Sequence, residues 1–131
     1  MYEIILKRFD QPDEVRVFEK GKFELVRIHG TTIGRATYEP GWKWSEHVGA
    51  AQGTKSCPVE HIGIVISGHA TAAMDDGQVM EMKPGDIFYI APGHDSWVVG
   101  DEPYVSLHLM GATDYAQPRE RLPRGEKAAP S

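Results

Sequence analysis

A thiol and an imidazole stand four residues apart in Cys57-Pro-Val-Glu-His61, where a loop of small and polar residues runs into a strand-like segment. Such a pair can reach one divalent ion across the entry to a strand. Zinc accepts this mixture of sulfur and nitrogen at bonds of roughly 2.0 to 2.3 Å. His47 and His94, each in a different segment, complete a candidate tetrahedral set. Thiolate softness favours zinc over iron, manganese or nickel as the divalent metal. The alternative is packing alone, with Cys57 as a small buried hydrophobe and His61 as a core histidine.

Further groups surround these four. His108 shares strand parity with Tyr104, Ser106 and Met110, and either faces a cavity beside the ion or faces solvent. Trp42, Trp44, Tyr89 and Trp97 flank the same segments and are candidates to wall a pocket for a flat or apolar small molecule, with core packing the default for at least two of them. Glu46 and Asp95 read as solvated loop acids or as groups that orient a neighbouring ring. No catalytic residue is assigned. The chain lacks a G-x-S-x-G elbow, a phosphate-binding loop and a G-x-G-x-x-G turn, and Asp75-Asp76-Gly77 is turn chemistry without the rest of a calcium loop.

The elements that must position these side chains are short strands. Val15 to Glu19 and Phe23 to Ile28 flank Lys20-Gly21-Lys22 as a hairpin, and Thr31 to Tyr38 is stopped by Glu39-Pro40-Gly41. Trp42 to Val48 alternates as a half-buried strand would, and residues 49–58 form a loop. His61 to Ser67 is the clearest strand. His69 to Met74 and Gln78 to Met82 flank the Asp75-Asp76-Gly77 turn, Ile87 to Ala91 follows Lys83-Pro84-Gly85-Asp86, and Trp97 to Val99 pairs with Tyr104 to Met110. Parity puts Ile62, Ile64 and Ile66 on the drier face of their strand and His61 on the other, toward a polar cavity or toward solvent. Turn signals every 8 to 12 residues suggest an all-β sandwich or small barrel.

The chain has 131 residues, which suits one domain over residues 1–116 and a mobile tail over 117–131 that carries no hydrophobic stripe. With 40% hydrophobic residues it buries a core without staples, and its single cysteine cannot pair internally, which fits a reducing cytoplasm. A formal charge of −5 argues against nucleic-acid binding. No apolar run approaches the roughly 18 residues of a membrane span, and the start of the chain has no signal-peptide pattern.

Two segments in this order resemble the cupin superfamily. Gly85-Asp86-Ile87-Phe88-Tyr89-Ile90-Ala91-Pro92-Gly93-His94 is similar to the second cupin motif, and a first motif ends at Gly68, one hairpin upstream. The resemblance covers about residues 35–110, preceded by N-terminal strands over 1–34. It implies a small antiparallel cupin-type β-barrel, the double-stranded β-helix or jelly roll. Segments PGWxWSEHV and PGHDxWV look closest to small single-domain bacterial cupins.

The family's metal site of three histidines and a glutamate is not reproduced. Counting back from Gly68 places His61 at the glutamate, Cys57 at the second histidine and Lys55 at the first, whereas counting from Gly41 reaches His47 as the first. In the second motif the family histidine falls on Ser96, with His94 two residues early, so either can take that position. The resemblance also implies a homodimer that adds N-terminal strands across a sheet edge. Two functions follow: a cupin binding module for a small polar molecule, with a divalent metal in the barrel, or a metal-dependent cupin enzyme of oxygenase, isomerase or lyase type.

Overall fold

The computed structural model describes residues 3–117. Its strands are β1 (Glu14–Phe18), β2 (Gly21–Ile28), β3 (Thr31–Tyr38), β4 (His61–Ser67), β5 (His69–Met74), β6 (Val79–Met82), β7 (Ile87–Ile90), β8 (His94–Val99) and β9 (Tyr104–Met110). All pairings are antiparallel and form two sheets, one ordered β1-β2-β3-β9-β4-β7 and the other β6-β5-β8. The all-β architecture expected from the turn spacing, and the jelly roll that the cupin resemblance implies, are therefore present. The sheets face one another as a sandwich and are not closed by hydrogen bonds into a barrel, since β6 and β7 are both edge strands. The expected tail lies, apart from Gln117, outside the described residues.

Alternation decides which residues fill the space between the sheets. Phe23 and Leu25 of β2, Ala36 and Tyr38 of β3, Val65 of β4 and Tyr104 of β9 point inward and are buried, together with Trp42, Trp44, Val48 and Tyr115 from the connections. In β4 the inward set is His61, Gly63 and Val65, while Ile62 and Ile64 are half-buried and Ile66 is exposed. The isoleucine face is thus the outer one, against the expectation that it is the drier. Gly63 lies opposite His108 on β9, and the inner face had to admit imidazoles beside it. Small residues on that face make room for them, so apolarity alone misassigned the two sides.

Two more expectations change. Trp42 to Val48 is not a strand: after one bridge between Lys43 and Trp97 the chain winds into a short helical segment, π-helical over Ser45–Gly49 and α-helical over Ala50–Gln52. The Lys43 carbonyl accepts from the N–H groups of Glu46 and His47, and the Lys43 N–H donates to His47 Nδ1 at 2.9 Å, so local bonds replace a ladder. The eighth strand begins at His94, three residues before its expected start, because it pairs along β5 from Met74 to His69, and it does not form the expected pair with β9, which lies in the other sheet.

At the β4–β5 corner Gly68 takes φ +77°, and a Cβ there would overlap the Pro103 carbonyl. Left-handed backbone and collision with a main-chain atom both penalise any side chain. Gly68→Ala should lose roughly 2 to 4 kcal/mol of unfolding free energy in a guanidinium titration. Wild-type stability would show that the corner rearranges freely.

Candidate metal centre

Main-chain pairing brings Cys57 to the second sheet. The Cys57 N–H donates to the His94 carbonyl at 2.7 Å and the Gly93 N–H donates back to the Cys57 carbonyl at 2.8 Å, an isolated antiparallel bridge beyond the end of β8. His61 opens β4 on the facing sheet. The three side chains meet there: one donor atom from each of Cys57, His61 and His94 lies within 4.8 Å of the others, and all three residues are buried. Cys57 Sγ is 3.6 Å from His61 Nε2. The spacing of four residues works because Pro58 to Glu60 carries the chain from one sheet to the other. His94 Nδ1 lies 2.7 Å from the Ala91 carbonyl, which can only accept, so Nδ1 bears the proton and Nε2 is left with its lone pair. That is how metal-ligating histidines are commonly held.

Burial dominates the electrostatics. It pushes the Cys57 thiol up to about 12 and His61 down to about 2, and lowers His94; neighbouring imidazoles lower His61 further. Without a cation these groups rest as a thiol and neutral rings. A divalent ion changes the balance, because a coordinated thiol is deprotonated outright. The residues therefore fit a metal: two imidazoles and a sulfur converge, one ring is anchored through its other nitrogen, and no other positive charge is present to stabilise a thiolate.

Beside this group is a cavity of about 30 Å³, lined among others by Trp42, Ser96, Tyr104, Ser106, His108 and Tyr115. It holds roughly one water-sized particle. The His61 ring meets those of His94, His108 and Tyr115 edge-on, at centroid separations of 5.2, 5.1 and 5.0 Å. His108 Nε2 is 3.1 Å from Ser106 Oγ, while its Nδ1 is buried and without a partner, as is His61 Nδ1. Burial lowers His108 to about 3. Tyr115 closes the cavity from the segment after β9, its hydroxyl 2.5 Å from that of Tyr38, and Arg16 of β1 fixes that segment by donating to the Ala112 and Tyr115 carbonyls.

His47 is elsewhere. It is half-buried in the helical segment, bonded to Lys43, with Nε2 3.9 Å from Glu19, and it is not among the grouped donors. Both His94 and Ser96 face the cavity, and His94 is the one that joins Cys57 and His61. Of the four aromatics, Trp42 lines the cavity; Trp44 is buried against Gly49. Trp97 lies under the Lys43 ammonium, 5.3 Å from ring centre to nitrogen, and Tyr89 is exposed with its hydroxyl donating to Glu60. Asp95 accepts from the Ser45 N–H and so anchors the helical segment, and Glu46 is exposed. Tyr115 and Tyr38 had no signal in the sequence beyond being aromatic.

Residues 42–105 match the EutQ-like cupin domain family. The chain carries a cupin domain. This cupin is similar in structure to a protein of unknown function from Rhizobium leguminosarum bv. viciae 3841, with a TM-score of 0.60 at 19% identity, over 83% of this chain and 97% of that one. Bacillus subtilis oxalate decarboxylase, studied for its Mn(II) centres, superposes with a TM-score of 0.53 at 25% identity over 78% of this chain and 28% of its own. CapF with the inhibitor 3-isopropenyl-tropolone does so with 0.53 at 16% identity, over 75% and 30%. The cupin chain thus spans less than a third of those two longer proteins. No curated protein matches it. Among the described residues no helix is long and apolar enough to cross a membrane.

Proposed function

We propose that this cupin binds a small molecule at one divalent ion held by Cys57, His61 and His94. The observation that carries the reading is the convergence of those three buried donors, with His94 anchored through Ala91, next to a cavity of water size that His61 and His94 line. Sulfur in the donor set supports zinc over manganese or iron. Three protein donors leave a tetrahedral ion one open position, which when loaded supplies Lewis acidity to an oxygen or nitrogen of the ligand. The chain's own residues do the rest. Tyr115 and Trp42 exclude bulk water, and Ser106 and His108 offer a hydroxyl and an unpaired ring nitrogen to whatever enters. A single buried cysteine that is a free thiol supports a cytoplasmic setting.

The second reading, a metal-dependent enzyme, rests on the same open position and on His108, whose Nδ1 has no partner and whose ring lines the adjoining cavity. Metal analysis by elemental mass spectrometry on untagged protein tests the shared premise. One ion per chain is expected. None, even after reconstitution with zinc, manganese and iron in turn, overturns both readings.

A homodimer is part of the proposal. Ile66, Ile87 and Leu109 are 49, 77 and 55% exposed on adjacent strands β7, β4 and β9 of the larger sheet, with half-buried Ile62, Ile64 and Leu107 between them. Such a face suits a self-complementary two-fold contact. Light scattering should give twice the chain mass, and Ile64→Asp combined with Leu109→Asp should halve it; a wild-type monomer overturns this part alone.

A further inference from the structure

At the open side of the sandwich, between the unpaired edges of β6 and β7, lies a groove of about 240 Å³ whose lining includes Met74, Gln78, Met80, Met82, Phe88 and Ile90. Three of these, Met82, Phe88 and Ile90, also line the inner cavity. One layer of side chains therefore separates a groove about eight times larger from the space beside the metal donors. Met82 in that layer is unbranched, with three rotatable bonds, and can swing aside without moving a strand. The groove contains no charged side chain; its polar ones are Gln78 and Tyr89, and the Tyr89 hydroxyl is engaged by Glu60. The inner space adds imidazoles and hydroxyls to that shared apolar wall.

We infer that the groove between β6 and β7 is the site for an uncharged apolar tail of the ligand, whose acidic or polar head passes Met82 to the inner cavity. This rests on the proposed metal centre for the head and on the groove alone for the tail. The inner cavity is too small for more than a head group, so an organic ligand needs a second compartment, and this groove shares its wall. The occupant is a small molecule and not a through-running peptide, because the turn Lys83 to Asp86 joins β6 to β7 at one end. That turn is fixed by the Lys83 N–H to Asp86 carboxylate bond at 2.8 Å. Apolar burial in the groove supplies affinity, and the head supplies orientation.

Proteins labelled with ¹³C at the methionine methyls and titrated with acetate, hexanoate and 1-hexanol test this. Hexanoate and hexanol are expected to move the Met74, Met80 and Met82 signals while Met110, on β9, stays fixed; acetate should leave Met74 and Met80 unmoved. On zinc-loaded protein hexanoate should bind at least about tenfold more tightly than acetate, because four added methylenes leave water. Met80→Glu, at a position 62% exposed and so tolerant of charge, should abolish that difference. Failure of both six-carbon probes to move Met74 and Met80 overturns the groove assignment whatever the metal content. Movement by hexanol with no zinc-dependent preference for hexanoate leaves the groove assignment standing and instead rejects the metal centre as the head's site.

Discussion

Cys57→Ser should cut the affinity for the ion by at least about a hundredfold, and His61→Ala should do the same, whereas His47→Ala should leave it unchanged. A hydroxyl is nearly isosteric with the thiol but is a poor ligand for a soft or borderline ion. Removing one of three donors from a centre whose binding free energy in small zinc domains reaches about 10 kcal/mol or more removes a large share of it. His47 occupies a candidate ligand position by motif counting, yet it is tied to Lys43 in the helical segment, away from the three grouped donors. The comparison therefore separates spatial convergence from sequence spacing. Competition with a chromophoric chelator gives the affinities, and circular dichroism shows that each variant is folded. Full metal retention by Cys57→Ser, or loss in His47→Ala, would sink the assignment.

The metal-free protein should lose on the order of 5 kcal/mol of stability between pH 7.5 and pH 4.5. Burial holds His61 at about 2 and His108 at about 3 in the folded state, and histidine in an unfolded chain titrates near 6.5. Above 6.5 neither state binds a proton and the rings cost nothing. Below it the unfolded chain takes up protons that the folded one refuses, so stability falls by about 1.4 kcal/mol per pH unit for each ring. His94, lowered as well, adds in the same direction. The loss is a large part of what a domain of this size possesses. Asp13 and Glu14 are held below the usual carboxylate range, Asp13 first by the Arg27 N–H and Glu14 first by the Arg16 guanidinium, so they weaken the fold only at more acid pH. Guanidinium titrations in chelator at pH 7.5, 6.0 and 4.5 measure the slope. His108→Gln should flatten it by about one ring's share, and a flat wild-type profile contradicts buried neutral histidines.

Much of this was legible beforehand, and the exceptions have physical causes. Glycine and proline punctuation, with β-branched runs between, located all nine strands, and β3, β4, β5 and β9 coincide with their expected bounds. Parity groups Tyr104, Ser106 and His108 on one face of β9 but leaves cavity or solvent open; the fold turns that face inward. Long-range pairing could not be read from spacing: nothing in the sequence says that Cys57 bridges to His94 across the chain, or that β9 lies between β3 and β4. The segment 42–48 alternates as a strand does, but its amides bond locally to Lys43, and periodicity is blind to that choice. His47 was grouped with the other donors for the same reason. Tyr115 escaped notice because its burial depends on Arg16, almost a hundred residues earlier.

The position of β9 has a consequence for biosynthesis. Among the described residues it is the last strand, yet it is the fourth of six in its sheet, with β3 on one side and β4 on the other. A growing chain carries β1, β2, β3, β4 and β7 before β9, so that the larger sheet at that stage is two halves with a gap. Filling that gap requires contacts far apart in sequence, which makes closure slow. His108 and Tyr115 arrive with the closing strand and the segment after it, while Cys57, His61 and His94 are already present. Until then the three donors are open to surrounding ions on the side that β9 later covers. If the proposed centre fills at that stage, ion supply during synthesis as well as the donor set would decide which metal it takes.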